Sequence, residues 1–237
     1  GAVMTALWLI GTVIVIFVSL GIAWNFRLAA VRAETKEQRE RLAQMEAQYG
    51  AVQEREEARA RASRKAAQYY ELVRQNKRAE LVKGFDEVSA LDLSPTERAV
   101  FESAVERARN ELSIIAYQNG LDHARNGRWH EAQAQLRESL AHKSDAAHSP
   151  QATFVLAQAL VALGRQREAI RLLQPLSEAS ADREVMDDAA LLLAETQAGI
   201  QAWNDAKNTL RSFLRRFPDS PLALEAKRRL AEIQLVH

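Results

Sequence analysis

Apolar residues are distributed along this chain in three distinct ways. The first 26 positions, GAVMTALWLIGTVIVIFVSLGIAWNF, are almost continuously apolar and contain no charged residue. Residues 27–65 are polar, with a thin apolar line at Leu28, Val31, Leu42, Met45, Tyr49 and Val52. Beyond about residue 66, blocks of helical periodicity alternate with Gly, Pro and Ser punctuation, the pattern of successive amphipathic helices.

The first block predicts a transmembrane helix over 1–26. As a helix it would extend about 39 Å, against a hydrocarbon core of about 30 Å. Trp8 and Trp24 would stand about 24 Å apart, suited to the two interfaces. The competing reading is a cleaved signal peptide, with Gly21 and Ala23 as the small-x-small site. The apolar run is longer than a signal core, and no basic segment precedes it. Arg27, Arg32, Lys36, Arg39 and Arg41 follow the run. The positive-inside rule therefore predicts that the remainder faces the cytoplasm, with the periplasm as the alternative side of a bacterial-type inner membrane.

The second block predicts a charged helical stem over 27–65. Seventeen of its 39 residues are charged, with mixed signs. Glu37–Arg41 and Glu57–Arg61 are i,i+4 pairs in the favourable order. The apolar line has a/d spacing, broken by Thr35 and Gln38 and ended by Glu56 and Arg59. A parallel coiled coil that makes a homodimer and a single exposed helix both fit. Basic residues beside the span would also attract anionic headgroups, diluted by the interleaved acids.

Residues 66–112 predict two helices, about 62–75 and 77–90, as a degenerate hairpin, followed by a long connecting helix. That helix opens at Ser94 with Pro95 at its first position and Glu97 completing a capping box. In residues 113–237 a register repeats. Ala132, Ala169 and Ala206 lie 37 residues apart, and Gly120, Ala157 and Ala194 keep the same two steps. Leu136, Leu173 and Leu210 follow each alanine by four. Equal steps with matching neighbours mark an internal repeat.

With its small residue, turn glycine, aromatic, alanine and large apolar residue in order, this region resembles the tetratricopeptide repeat (TPR) family, in a membrane-anchored bacterial layout. The first copy is Gly120, Gly127, Trp129, Ala132, Leu136 and Leu140. The second is Leu156, Ala157, Leu160, Gly164, Ala169 and Leu173. The third is Leu193, Ala194, Trp203, Ala206, Leu210, Phe213 and Pro218. Gln201 stands where the third turn would have glycine, with Gly199 nearby, and Gln166 replaces the second aromatic. The resemblance implies an α-solenoid of helical hairpins. SPLALEAKRRLAEIQLV at 220–236, with Ser220 as cap and Pro221 at its first position, is expected to be its capping helix. The expected class is all-α.

Composition changes this picture little. A net charge of +1 gives no field for nucleic acid, and the absence of cysteine removes disulfides and thiolate metal sites. Nine Gly and five Pro among 237 residues leave few turns, which favours long helices. No GxSxG, Walker or GxGxxG motif occurs. His123, His130, His142, His148 and His237 lack HExxH spacing, and the acidic pairs Asp187–Asp188 and Glu56–Glu57 lie in polar helix. No catalytic residue, cofactor or metal is expected, and the chain is not read as an enzyme.

Recognition remains. The resemblance implies a concave groove lined by Ile114, Tyr117, Leu121 and Arg125 of the first copy. Phe154, Gln158 and Val161 come from the second, and Asp188, Leu191 and Glu195 from the third. The Lys/Asn/Arg clamp of chaperone-binding members is absent, since Tyr117, Leu121, Val155, Asp188 and Leu192 hold its positions. An extended or helical peptide with an apolar stripe is the expected partner. Two functional classes follow: a membrane-anchored scaffold that recruits a protein into an envelope, secretion or motility assembly, or a permanent structural subunit whose groove a neighbouring protein fills.

Overall fold

A computed structural model describes residues 2–178 and 183–236. Gly1, the first residue of the expected membrane span, and His237, the last of the expected repeat region, lie outside the described residues. Among the described residues the chain is all-helical, without strand. The helices are α1 (Ala2–Arg74), α2 (Arg78–Ser89), α3 (Pro95–Arg125), α4 (Trp129–His142), α5 (Ser149–Ala162), α6 (Gln166–Glu178), α7 (Arg183–Gly199), α8 (Trp203–Arg216) and α9 (Ala223–Val236). They divide into two compact units at Arg64 and Lys65.

The first unit is α1 up to Arg64. No proline interrupts it, and Gly11, Gly21 and Gly50 have nothing near the position of a Cβ. By length and composition α1 is long and apolar enough to cross a membrane. Two hydroxyls within its apolar stretch are satisfied by their own backbone. Thr12 Oγ1 donates to Trp8 O at 3.1 Å and Ser19 Oγ to Ile16 O at 2.9 Å. Farther along, Glu37–Arg41 at 2.6 Å and Glu57–Arg61 at 3.7 Å form the ion pairs expected from their spacing.

The second unit is built on one turn used four times. Asn76, Gly127, Gly164 and Gln201 each adopt a left-handed conformation, with φ of 52°, 70°, 73° and 64°. In each case that residue's N–H donates to the carbonyl three positions back, and the next N–H reaches the carbonyl five back. For Gly127 these bonds are to Ala124 O (3.0 Å) and, through Arg128 N, to His123 O (2.9 Å). For Gln201 they are to Ala198 O and, through Ala202 N, to Gln197 O, both 2.9 Å. This pattern closes a helix C-terminus and reverses the chain. Gly199, suggested by the sequence as a helper of the third turn, is instead the last residue of α7. Gln201 itself bears the positive φ.

Close packing follows from that turn. Seven positions before the left-handed residue stand Gly120, Ala157 and Ala194, all buried; five positions after stand Ala132, Ala169 and Ala206, each 0% exposed. The approach is tightest at Gly120, where an added Cβ would lie 2.7 Å from Leu136 Cγ. At the Asn76 turn the same positions hold large residues, Tyr69 and Leu81. There the Tyr69 hydroxyl donates to Leu81 O at 2.5 Å and its ring meets Phe101 edge-on at 5.0 Å. Burial pushes the Tyr69 phenol up to about 12, despite the opposing charge of Arg109.

Helix α3 belongs to two cores. Its capping box is as expected: Glu97 N–H donates to Ser94 Oγ at 3.2 Å, and Ser94 N–H to Glu97 Oε2 at 2.9 Å. Its N-terminal half packs Phe101, Val105 and Ala108 with Tyr69, Leu81 and Val88. Its C-terminal half is the first helix of the α3/α4 hairpin. The α5/α6 and α7/α8 hairpins follow, with Leu136, Leu156, Leu160 and Leu173 in the central core and Leu210, Phe213 and Phe217 in the last. Helix α9 packs on α8, and it begins at Ala223, not directly after Ser220. The Ser220 hydroxyl donates to Asp187 Oδ2 at 2.6 Å while accepting from Leu222 N–H, so Pro221 and Leu222 stay in a turn.

Two stability outcomes are expected from these contacts. Gly120→Ala should destabilise the array by about 1–3 kcal/mol, because Leu136 is itself fully buried. Gln201→Gly should stabilise it by up to about 1 kcal/mol, by relieving an L-residue of left-handed geometry. Denaturant unfolding of the full chain in detergent measures both.

Candidate partner-binding face

The ten residues expected to line a groove all lie on the first helices of the three hairpins, α3, α5 and α7. These helices touch one another across hairpins, α3 with α5 and α5 with α7, which makes them one continuous layer. Their side chains divide by depth. Phe154 is 8% exposed and belongs to the central core. Tyr117, Leu121 and Val161 pack against that same core, and Leu191 against the last one. Ile114 and Gln158 are half-buried. The exposed members are Arg125, Asp188 and Glu195, every one charged. The structure thus brings the apolar members other than Ile114 to two adjoining cores and leaves the charged ones at the surface.

Two of these residues take part in networks the sequence did not announce. Tyr117 stacks on His148 with ring centroids 5.0 Å apart. His148 Nε2 lies 2.8 Å from Ser113 Oγ and 3.4 Å from Ser139 Oγ. The two serines, both 0% exposed, cross-link α3 to α4: Ser113 Oγ lies 2.8 Å from Ser139 O, and Ser139 Oγ 2.8 Å from Ser113 O. One arrangement satisfies every hydroxyl. His148 Nε2–H donates to Ser113 Oγ, Ser113 to Ser139 O, and Ser139 to Ser113 O. Both serines are sealed within the α3/α4 contact, so the Ser–His pair serves packing and has no access to a substrate. Burial holds the His148 imidazole below the usual histidine range. Burial likewise raises the Tyr117 phenol, partly offset by the charge of Arg125. In sequence these serines occupy positions of no special spacing, so only the fold pairs residues 26 apart.

Glu195 opens onto a second feature. An open cleft of about 500 Å3 lies among α7, α8 and α9, lined by Ala198, Trp203 and Ile233 with Glu195 and Arg229 at its polar side. Arg229 Nε stands 3.3 Å from Glu195 Oε1 and 3.0 Å from Glu225 Oε1. Trp203, which the repeat pattern explains as a turn aromatic, therefore also forms a cleft wall. The far wall on α9 was not among the expected groove residues. A signal for it existed. Ala152, Ala189 and Ala226 are 37 residues apart, as are Leu156, Leu193 and Leu230, and each of the three alanines is 0% exposed. Helix α9 thus continues the series α3, α5, α7.

Among the described residues no group of three His, Asp or Glu side chains is placed to hold a metal. The ion pairs of this unit are mostly exposed and local, such as Arg165 with Glu168 at 2.7 Å and Arg228 with Glu225 at 2.5 Å. They add solubility and fix short turns, and assemble no reactive constellation.

Comparison with known proteins adds little beyond this geometry. No family model matches the chain, and no curated protein matches its sequence. Among solved structures, the Arabidopsis OM64 TPR domain is similar at 16% identity and a TM-score of 0.45, over 52% of this chain and 98% of that domain.

The histidine network has a measurable pH signature. A base whose folded pKa is depressed binds more protons when unfolded, so stability is lost as pH falls through the unfolded value of about 6.5. Replacing His148 by Ala should flatten the change in melting temperature between about pH 7.5 and 5.5, where carboxylates remain ionised. It should also lower stability at neutral pH by about 1 kcal/mol through loss of the Ser113 bond.

Proposed function

We propose that this protein is a membrane-anchored TPR-like scaffold whose α3, α5 and α7 layer recruits a protein partner. The observation that carries this reading is the surface chemistry of that layer. Its apolar members are buried or half-buried, and Arg125, Asp188 and Glu195 are exposed around them. A groove filled permanently by a neighbouring subunit would expose an apolar majority. Charged rims over a shallow apolar floor suit a reversible peptide ligand, extended or helical, that presents an apolar stripe flanked by polar residues. No nucleic acid, cofactor or catalytic step enters this reading.

The anchor reading rests on the apolar part of α1. Val13, Ile14, Val15, Ile16, Phe17 and Val18 are each about half exposed or more, and a bilayer would cover such a run on every side. Thr12 and Ser19 give up their donors to their own helix, as hydrocarbon requires. Residues 1–26 would therefore sit in a bacterial-type inner membrane, and the basic residues after the span favour a cytoplasmic array over a periplasmic one. From either side, the partner would belong to an envelope, secretion or motility assembly.

Both parts can be tested on the full chain. A photo-crosslinking residue in place of Gln158 should capture a protein partner in cells, whereas one in place of Arg171, exposed on α6, should not. Equal capture at both positions would remove the groove from the account. For sidedness, Asn204→Cys provides a single exposed thiol in a chain without cysteine. Protection from a membrane-impermeant maleimide in spheroplasts until detergent is added is the expected result. Labelling of intact spheroplasts would place the array in the periplasm.

A further inference from the structure

We infer that the stem is one half of a parallel, in-register homodimer, with the occupant of its apolar seam being a second copy of this chain. The parallel direction rests on the membrane-anchor reading, since two copies anchored in one bilayer project their stems the same way.

Between residues 27 and 64 the large apolar side chains are Leu28, Val31, Leu42, Met45, Tyr49 and Val52, and all occupy a or d positions of one heptad register. Five of them remain bare within a single chain: Val31 is 58% exposed, Leu42 54%, Met45 50%, Tyr49 73% and Val52 51%. No large apolar side chain lies off this stripe. A helix solvated on all sides has no reason to segregate its apolar residues so strictly. Thr35 and Gln38 are the polar interruptions, and Thr35 Oγ1 donates to Val31 O at 2.9 Å, so its hydroxyl needs nothing from a partner.

Charge decides the occupant and its register. The residues flanking the seam are Arg27, Glu34, Arg41, Gln48 and Arg55 on one side, and Arg32, Arg39, Glu46 and Gln53 on the other. In a parallel pair each residue of the first set meets the residue five positions later in the second copy. In register, Glu34 meets Arg39 of the partner subunit and Arg41 meets Glu46 of the partner subunit. Both pairs recur on the opposite side of the two-fold axis. Arg27 meets Arg32 of the partner subunit, the one like-charge pair, at the end nearest the span.

Sliding one copy by seven residues reverses this balance. Glu34 then faces Glu46 of the partner subunit, while Arg27 of one copy and Arg41 of the other face Arg39 of the opposing copy. Only one attraction, Glu34 with Arg32, survives. The slip also sets Leu42 against Thr35 or Tyr49 in place of Leu42. Self-complementarity in a single register is the property of a homodimer, because a stem made for an unrelated helix has no reason to match itself.

The test uses the full chain in detergent, where the absence of native cysteine makes introduced thiols unambiguous. Leu42→Cys lies on the seam, and Ala47→Cys lies on the outer face of the same helix. Oxidation should link Leu42→Cys into dimers and leave Ala47→Cys monomeric. Two charge sets are then added to Leu42→Cys, Glu34→Arg with Glu46→Arg, and Arg39→Glu with Arg41→Glu. Either set alone turns all four attractions into repulsions and should weaken pairing by at least about tenfold, while co-production of both should restore it. That rescue separates lost pairing from lost folding. Equal linkage at positions 42 and 47, no linkage at 42, or charge sets that behave alike alone and mixed would each overturn the homodimer. Retention in the membrane during alkaline extraction reports on the anchor alone, so the two readings fail separately.

Discussion

The array depends on how closely two helices can approach at Gly120. With no side chain there, Leu136 of α4 lies where a Cβ would otherwise stand. Ala157 and Ala194 hold the equivalent positions on α5 and α7, and Ala132, Ala169 and Ala206 face back from the second helices. Small residues on both sides set the spacing of each hairpin, and that spacing sets the height at which the next hairpin stacks. The leucines four residues on fill the layer that the alanines leave. Where the same turn carries Tyr69 and Leu81, the helices are held instead by a phenol-to-carbonyl hydrogen bond and an edge-on ring contact. One backbone device therefore supports two packing solutions.

Much of this was legible in the sequence, for a physical reason. Helix spacing and small-residue periodicity are local properties, so the steps from Ala132 to Ala169 to Ala206 survive as a written pattern. The capping box at Ser94 is equally local. What escaped were features that only three dimensions bring together. Ser113 and Ser139 read as ordinary polar positions until α3 and α4 bury them against each other. The start of α9 was set by Asp187, far upstream, which draws the Ser220 hydroxyl away from simple capping. The expected groove set was uneven for the same reason. Sequence register gives the face of a helix but not its depth, so Phe154, a core residue, and Asp188, an exposed one, entered on equal terms.

The two units answer to different surroundings. The second hides most of its apolar residues inside itself, in three cores linked through α3 and α7. Among its described side chains the first hides none over its apolar run, and its stripe of Leu42, Met45, Tyr49 and Val52 lies open. A chain with so asymmetric an arrangement is complete in water only where it makes its own core.

The left-handed residues also give the array a direction of failure. Linear repeat assemblies lose order from their ends, because a terminal hairpin is held by one neighbour where an inner one is held by two. Here the two central turns are relaxed glycines, while Gln201 carries conformational strain in the hairpin nearest the C-terminal end. Asn, as at Asn76, tolerates that geometry better than Gln. Among the three repeat hairpins the strain therefore falls on α7/α8, while α3/α4 is fastened by its buried serines.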